Sequence, residues 1–258
     1  MFLRLALLPL LLFALLVVAV IVALGMRVEL ATVLAVLGSM EVRFALLQSL
    51  GVSLAALAIA LLLGVPGAWA LRQWRGRGRM LLETVLDLPL VMPPLVVGVG
   101  LLFLFGRRML GEPLASLGIE LLFSPAGAVL AQAYIAMAVV LRSSVASFAA
   151  LDSGYAACAS TLGLKPLAVF VHVELPMAMR GIAAGAVLAW ARALGEFGAT
   201  LMVAGATRLR TETLPMAVYL NIASGDTDTA VVCALLQLLL AAGLLLALRL
   251  LRRPELPA

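Results

Sequence analysis

Charge is scarce in this sequence. Asp, Glu, Lys and Arg make up 12% of 258 residues, against 65% hydrophobic residues and a mean hydropathy of +1.19. That balance excludes a soluble globular domain. Cysteine occurs twice, at Cys158 and Cys233, in separate segments without metal-type spacing, which excludes a disulfide framework and a zinc site. His172 is the single histidine, so no Ser/His/Asp or Cys/His catalytic set is expected, and no cofactor or metal site. Lys165 is the single lysine. No Gly-rich segment ends in Gly-Lys-Ser or Gly-Lys-Thr, so the chain has no phosphate-cradling loop of that kind.

What is present is apolar chain in long runs. Several reach the roughly 20 residues a helix needs to span a bilayer. The short alternating segments of a membrane barrel are missing. The expected fold class is all-α and polytopic, one membrane domain over residues 1–258. Six spans are predicted, at 5–25, 44–71, 82–105, 125–149, 181–204 and 229–249. The first apolar run exceeds the roughly 7–15 residues of a secretory signal core, which favours a retained N-terminal anchor. No further soluble domain is expected.

The net charge is +5 and the pI about 10.0. The arginines sit in short loops between spans, so the basic balance reads as membrane topology, and no nucleic acid is expected as a partner. One set of flanks holds Arg4, Arg72, Arg75, Arg77, Arg79, Lys165, Arg180, Arg249, Arg252 and Arg253. The other holds Arg27, Arg43, Arg107, Arg108, Arg208 and Arg210. The richer set marks the cytoplasmic side and places both termini there.

Between spans four and five, Ala156 to Pro176 reads "AACASTLGLKPLAVFVHVELP". Asp152 or Ser153 can cap a helix start. Gly163 can stop that helix in the left-handed conformation, with Pro166 just beyond. Leu151, Tyr155, Cys158 and Leu162 make one apolar stripe. Ten residues give a rod of roughly 15 Å, half a bilayer. It cannot span, but it can lie on the cytoplasmic face and offer one apolar face to a partner. With few basic residues on its polar face, it is a poor lipid binder.

This segment resembles the cytoplasmic signature of ABC importer permeases: Glu-Ala-Ala, three residues, Gly, nine residues, Ile, any residue, Leu-Pro. Here Gly163 is followed after nine residues by Val173, then Glu174, Leu175 and Pro176. Ala157 stands where the family usually has Glu. The resemblance implies a type I importer permease fold with a coupling helix over 151–176 that docks on a cytoplasmic ATPase. Tyr155, Ala157, Leu162, Gly163, Leu164, Pro166, Leu175 and Pro176 are the expected coupling residues.

"ETVLDLPLVMPPLVVGVGLLF" (Glu83–Phe103) and "ARALGEFGATLMVAG" (Ala191–Gly205) are similar to the molybdate branch of the oxyanion permeases, with tungstate and sulfate or thiosulfate permeases close by. The likeness covers residues 44–250. It implies an oxyanion importer subunit in the bacterial cytoplasmic membrane, paired with a second copy. Its other partners would be an ATPase dimer that uses ATP and Mg, and a periplasmic or extracellular oxyanion-binding protein. Loops 106–124 and 205–228 would receive the binding protein. A stand-alone carrier, driven by an ion gradient without an ATPase, is the alternative of another class.

Candidate pathway residues are Pro93, Pro94, Arg192, Glu196 and Thr200. Pro89, Pro93 and Pro94 should break or kink the third span. A restart at Pro94 would turn the amides of Val96 to Gly98 out as an anion site; a plain kink with satisfied amides is the alternative. Arg192 and Glu196 lie four residues apart, where a mid-bilayer charge costs about 3 kcal/mol unless paired. They form either a structural pair or a pair in which Arg192 faces the pathway. Gly195 and Gly198 beside them would allow close helix approach.

Overall fold

The computed structural model describes residues 2–251, with side chains from residue 7 to residue 249. Arg4, Arg252 and Arg253, used to infer the side of the termini, lie outside the described side chains. Among the described residues every regular element is helical. Six stretches are long and apolar enough to cross a bilayer: Leu7–Gly25, Met40–Gln73, Pro94–Ser116, Pro125–Ala149, Pro166–Leu194 and Thr227–Arg249.

Three helices form the centre. These are α3 (Met40–Gln73), α7 (Pro125–Ala149) and α10 (Leu175–Leu194). Ser39 caps α3 by accepting from the Val42 amide at 3.3 Å, and Ser124 caps α7 by accepting from the Gly127 amide at 3.3 Å. Their contact faces carry small residues. Ala56, Ala60, Ala68, Ala136, Ala189 and Ala193 are wholly buried. Lipid is as apolar as leucine, so helices gain from meeting only where backbones approach closely and dispersion contacts are dense. Gly181 and Gly185 of α10 face Ser147 and Ser143 of α7, and a Cβ at either glycine would collide with the serine Oγ. Trp190 adds a directional tie, donating from Nε1 to Ser53 Oγ at 2.9 Å.

The remaining elements surround this centre. They are α1 (Phe2–Gly25), α2 (Leu30–Gly38), α4 (Arg79–Val91), α5 (Pro94–Leu104), α6 (Glu112–Ser116), α8 (Ser153–Thr161), α9 (Pro166–Val169), α11 (Gly198–Ala204), α12 (Leu214–Ser224) and α13 (Thr227–Leu251). None of the described side chains of α1 is buried.

Two predicted spans are corrected. The span placed at 82–105 is two helices, because the chain breaks at Met92 and Pro93 and restarts with Pro94 in the first turn of α5. Pro89 does not interrupt it; that residue lies inside α4. The span placed at 181–204 starts earlier and ends sooner. α9, a π turn over Phe170–Glu174 and α10 run on without a gap from Pro166 to Leu194, and α11 is a separate helix. Leu175 and Pro176 therefore sit in that long helix. The π turn has a physical cause. Pro176 has no amide to donate and its ring crowds the preceding turn, so widening that turn keeps the helix intact. The stretches 106–124 and 205–228, expected as loops, both contain helix: a π turn over Arg107–Gly111 and α6 in the first, and in the second α12, which packs on α13 and α3.

α3 contains 34 residues, about 51 Å at 1.5 Å per residue and well beyond a bilayer core of about 30 Å. Each of its ends carries a polar network. At one end Arg208 Nη1 donates to both Glu41 oxygens at 3.1 Å, and its Nη2 donates to Asn221 Oδ1 at 3.1 Å. At the other end Arg72 meets Glu174. These two networks fix which loops share an end of the bundle.

Candidate functional site

α8 is built as its residues dictate. Asp152 Oδ1 accepts from the Gly154 amide at 2.8 Å. At the other end Gly163 lies at φ 86°. Its amide donates to Ser160 O at 3.0 Å, and that of Leu164 donates to Ala159 O at 3.2 Å. This pair of bonds is the Schellman stop, which requires the left-handed residue that glycine supplies without strain.

The exposed faces of α8 decide what it can do. Ala159 is buried and Ala156 half-buried, so the alanine side turns inward. Tyr155 is 57% exposed, Leu162 is 78% exposed and Cys158 is exposed. Ala157, Leu164 and Pro166 are exposed as well. Leu151 does not belong to this stripe. It precedes the helix and packs half-buried against the cluster containing Phe148 and Phe170. Leu175 is half-buried and Pro176 exposed.

Sequence reasoning missed the attachment of this segment. Glu174 is only 3% exposed. Its Oε1 accepts from Arg72 Nη1 at 2.8 Å and its Oε2 from Trp69 Nε1 at 2.6 Å. A glutamate in the apolar run "FVHVELP" signals that a partner must exist, since an unpaired buried charge is costly. Which of the arginines supplies it depends on chain positions about a hundred residues apart. Arg142, inside the predicted span 125–149, pairs with Asp87 at 3.1 Å, though neither side chain is buried.

The candidate pathway residues gather where α5 meets α11. Val97, Ala199 and Val203 share one buried cluster. Gly98 lets the helices touch, because a Cβ there would lie 2.7 Å from Met202 Cβ and 2.8 Å from Ala199 Cα. Gly198 lies against Pro94 and Leu95, whereas Gly195 ends α10 without such an approach. Two of the three anion donors expected at the α5 terminus, Val96 to Gly98, are already taken. The amides of Val96 and Val97 both donate to Pro93 O, at 2.9 and 3.1 Å. Pro93 is exposed and Pro94 half-buried. Thr200 is wholly buried, and its hydroxyl has no hydrogen-bond partner.

Arg192 and Glu196 straddle the break between α10 and α11. Arg192 Nη1 donates to Glu196 Oε2 at 2.7 Å. Glu196 Oε1 accepts from the Ala199 amide at 2.9 Å, which caps the first turn of α11. Gln237 Nε2 donates to Leu194 O at 3.0 Å and satisfies a carbonyl at the end of α10. Glu196 is 1% exposed, while the side chain of Arg192 is 42% exposed. The carboxylate thus ties the end of α10 to the start of α11, and the guanidinium is the accessible member of the pair.

Comparison with known proteins places this architecture. Residues 60–253 match the family model of the binding-protein-dependent transport system inner membrane component. The molybdenum transport system permease protein ModB of Mycobacterium tuberculosis is 39% identical over 223 residues, covering 86% of this chain and 84% of that protein. ModB of Escherichia coli K12 is 40% identical over 193 residues, covering 73% and 84%. A bacterial alginate ABC transporter, solved with a periplasmic protein bound to alginate pentasaccharide, superposes with a TM-score of 0.79 at 15% identity. That match covers 98% of this chain and 94% of that one, and it bears on the fold alone. This is a multi-pass membrane protein, and it belongs to the family of binding-protein-dependent transport system inner membrane components.

Proposed function

We propose that this chain is the permease of an ATP-driven importer that passes molybdate across the cytoplasmic membrane. The names of its molybdenum-transport relatives support the substrate. The observation that carries the mechanism is the outward face of α8, where Tyr155 and Leu162 stand exposed on a helix too short to cross a bilayer. That face suits a cytoplasmic ATPase, which supplies the ATP and Mg chemistry this chain lacks. The Arg72 end is then cytoplasmic, with both termini on that side. The Glu41 end receives the oxyanion-binding protein. Two copies enclose the pathway. Nucleotide-driven closure of two ATPases moves the α8 helices, and the break between α10 and α11 gives the spans a place to rearrange. Arg192 presents a cation to the passing anion, while Glu196 holds its position.

Co-expression with the cognate ATPase and binding protein tests this. The expected result is a complex of two permeases and two ATPases whose ATP hydrolysis rises with molybdate-loaded binding protein. Permease that never retains an ATPase would overturn the class. Stimulation by sulfate and not by molybdate would overturn the substrate.

A further inference from the structure

α8 packs its alanine side on α9 and the π turn, with Ala159 buried. A cleft of about 430 Å³, lined by Trp69 and Gln73 of α3, Ala156 and Ser160 of α8, and Pro166 and Val169 of α9, separates α8 from the end of α3. Two polar ties link the flanks of α8 to the end of α3, and both converge on one guanidinium. At the exit, Arg72 Nη1 donates to Glu174 at 2.8 Å. At the entry, Arg72 Nη2 reaches Leu151 O, one residue before the α8 cap, at 3.5 Å. Trp69, one helical turn earlier on α3, holds the second oxygen of Glu174. Its ring packs on Phe170 at a centroid distance of 5.0 Å, and Phe170 packs on Phe148 of α7 at 6.1 Å. The planar guanidinium fork suits this task, because it meets two acceptors in fixed relative directions.

We propose that Arg72, Trp69 and Glu174 form the joint that passes displacement of α8 to the long helix α3. This rests on the ATP-driven reading above. The three are positioning residues: they touch neither nucleotide nor substrate. The buried pair makes the entry and exit of α8 move as one body with the end of α3, so a push on α8 becomes a tilt of a helix that runs the full depth of the membrane. Without the pair, α8 swings across its cleft and the push is dissipated.

The test uses the whole complex, permease with cognate ATPase and binding protein, in sealed proteoliposomes. Molybdate taken up and ATP hydrolysed are measured in the same vesicles. Glu174→Gln keeps the size of the side chain and removes its charge. Trp69→Phe removes one donor and keeps ring packing. The expected result is assembled complex that still hydrolyses ATP, with uptake per ATP reduced roughly tenfold for Glu174→Gln, in the usual range of coupling between sites. Trp69→Phe should fall between that variant and wild type. A purely structural role would lower the amount of complex, and uptake and hydrolysis together, with their ratio unchanged. That unchanged ratio overturns the joint. If Glu174→Gln does not assemble, the ratio for Trp69→Phe decides by the same criterion. Failure of the wild-type complex to couple uptake to ATP would instead overturn the transport reading on which the joint stands.

Discussion

Removing Arg192 while leaving Glu196 in place separates the structural share of their pair from its share in transport. Breaking a buried pair by deleting one partner costs about 3–5 kcal/mol. Here only Glu196 is deeply buried, at 1% exposure against 42% for Arg192. With Arg192 facing a water-filled pathway, as proposed above, water screens it and the cost falls to about 2 kcal/mol. Glu196 also keeps the Ala199 amide at 2.9 Å, which limits the loss further. For a chain of this size about 2 kcal/mol corresponds to a fall of roughly 4–8 °C in the unfolding midpoint. Arg192→Ala should show that fall when purified permease is heated in detergent. Adding Glu196→Gln removes the stranded charge but keeps a carbonyl for the Ala199 amide. The double variant should recover most of the midpoint, a coupling of about 1–2 kcal/mol. Molybdate uptake should stay depressed in both variants, because neither presents a cation. An Arg192→Ala protein as stable as wild type would refute the energetic reasoning. Restored uptake in the double variant would show that Arg192 acts only through the fold.

Three further outcomes are expected. Gly163→Ala forces a Cβ into φ 86° at a cost of about 1–2 kcal/mol, which should loosen ATPase retention in pull-downs while the spans remain folded. Gly98→Ala places a Cβ 2.8 Å from the Ala199 backbone, an overpacking cost of about 1–3 kcal/mol; a lower unfolding midpoint and reduced uptake check it. Burial pushes the Glu212 carboxyl above its ordinary value, against the lowering effect of the Leu209 amide. The folded state thus holds that proton more tightly than the unfolded chain. The stability it contributes is complete below the ordinary carboxylate value and is lost as pH rises through the raised one. Glu212→Gln should flatten this part of the midpoint-against-pH profile.

That the chain crosses a membrane is legible from its apolar runs, which are long enough to span as helices, and helices satisfy their own backbone within lipid. The sequence by itself also determined where α8 begins and ends. Asp152 and Gly163 act on amides and carbonyls within a few residues of themselves, so their effect is local and legible. Break positions were half legible. Pro94 restarts a helix as its chemistry requires, yet Pro89 is absorbed into α4 and Gly195 ends α10. Of the anion donors expected at Val96 to Gly98, the Val96 and Val97 amides went to Pro93 O, a bond set by how the chain turns at Pro93. The folded bundle turns Tyr155 and Leu162 outward and Leu151 in. Only the tertiary structure brought Arg72 to Glu174 and Arg208 to Glu41, pairs separated by 102 and 167 positions. A buried charge announces in the sequence that it needs a partner. Its choice among several arginines is made by helix crossing, which depends on small residues meeting across the whole bundle.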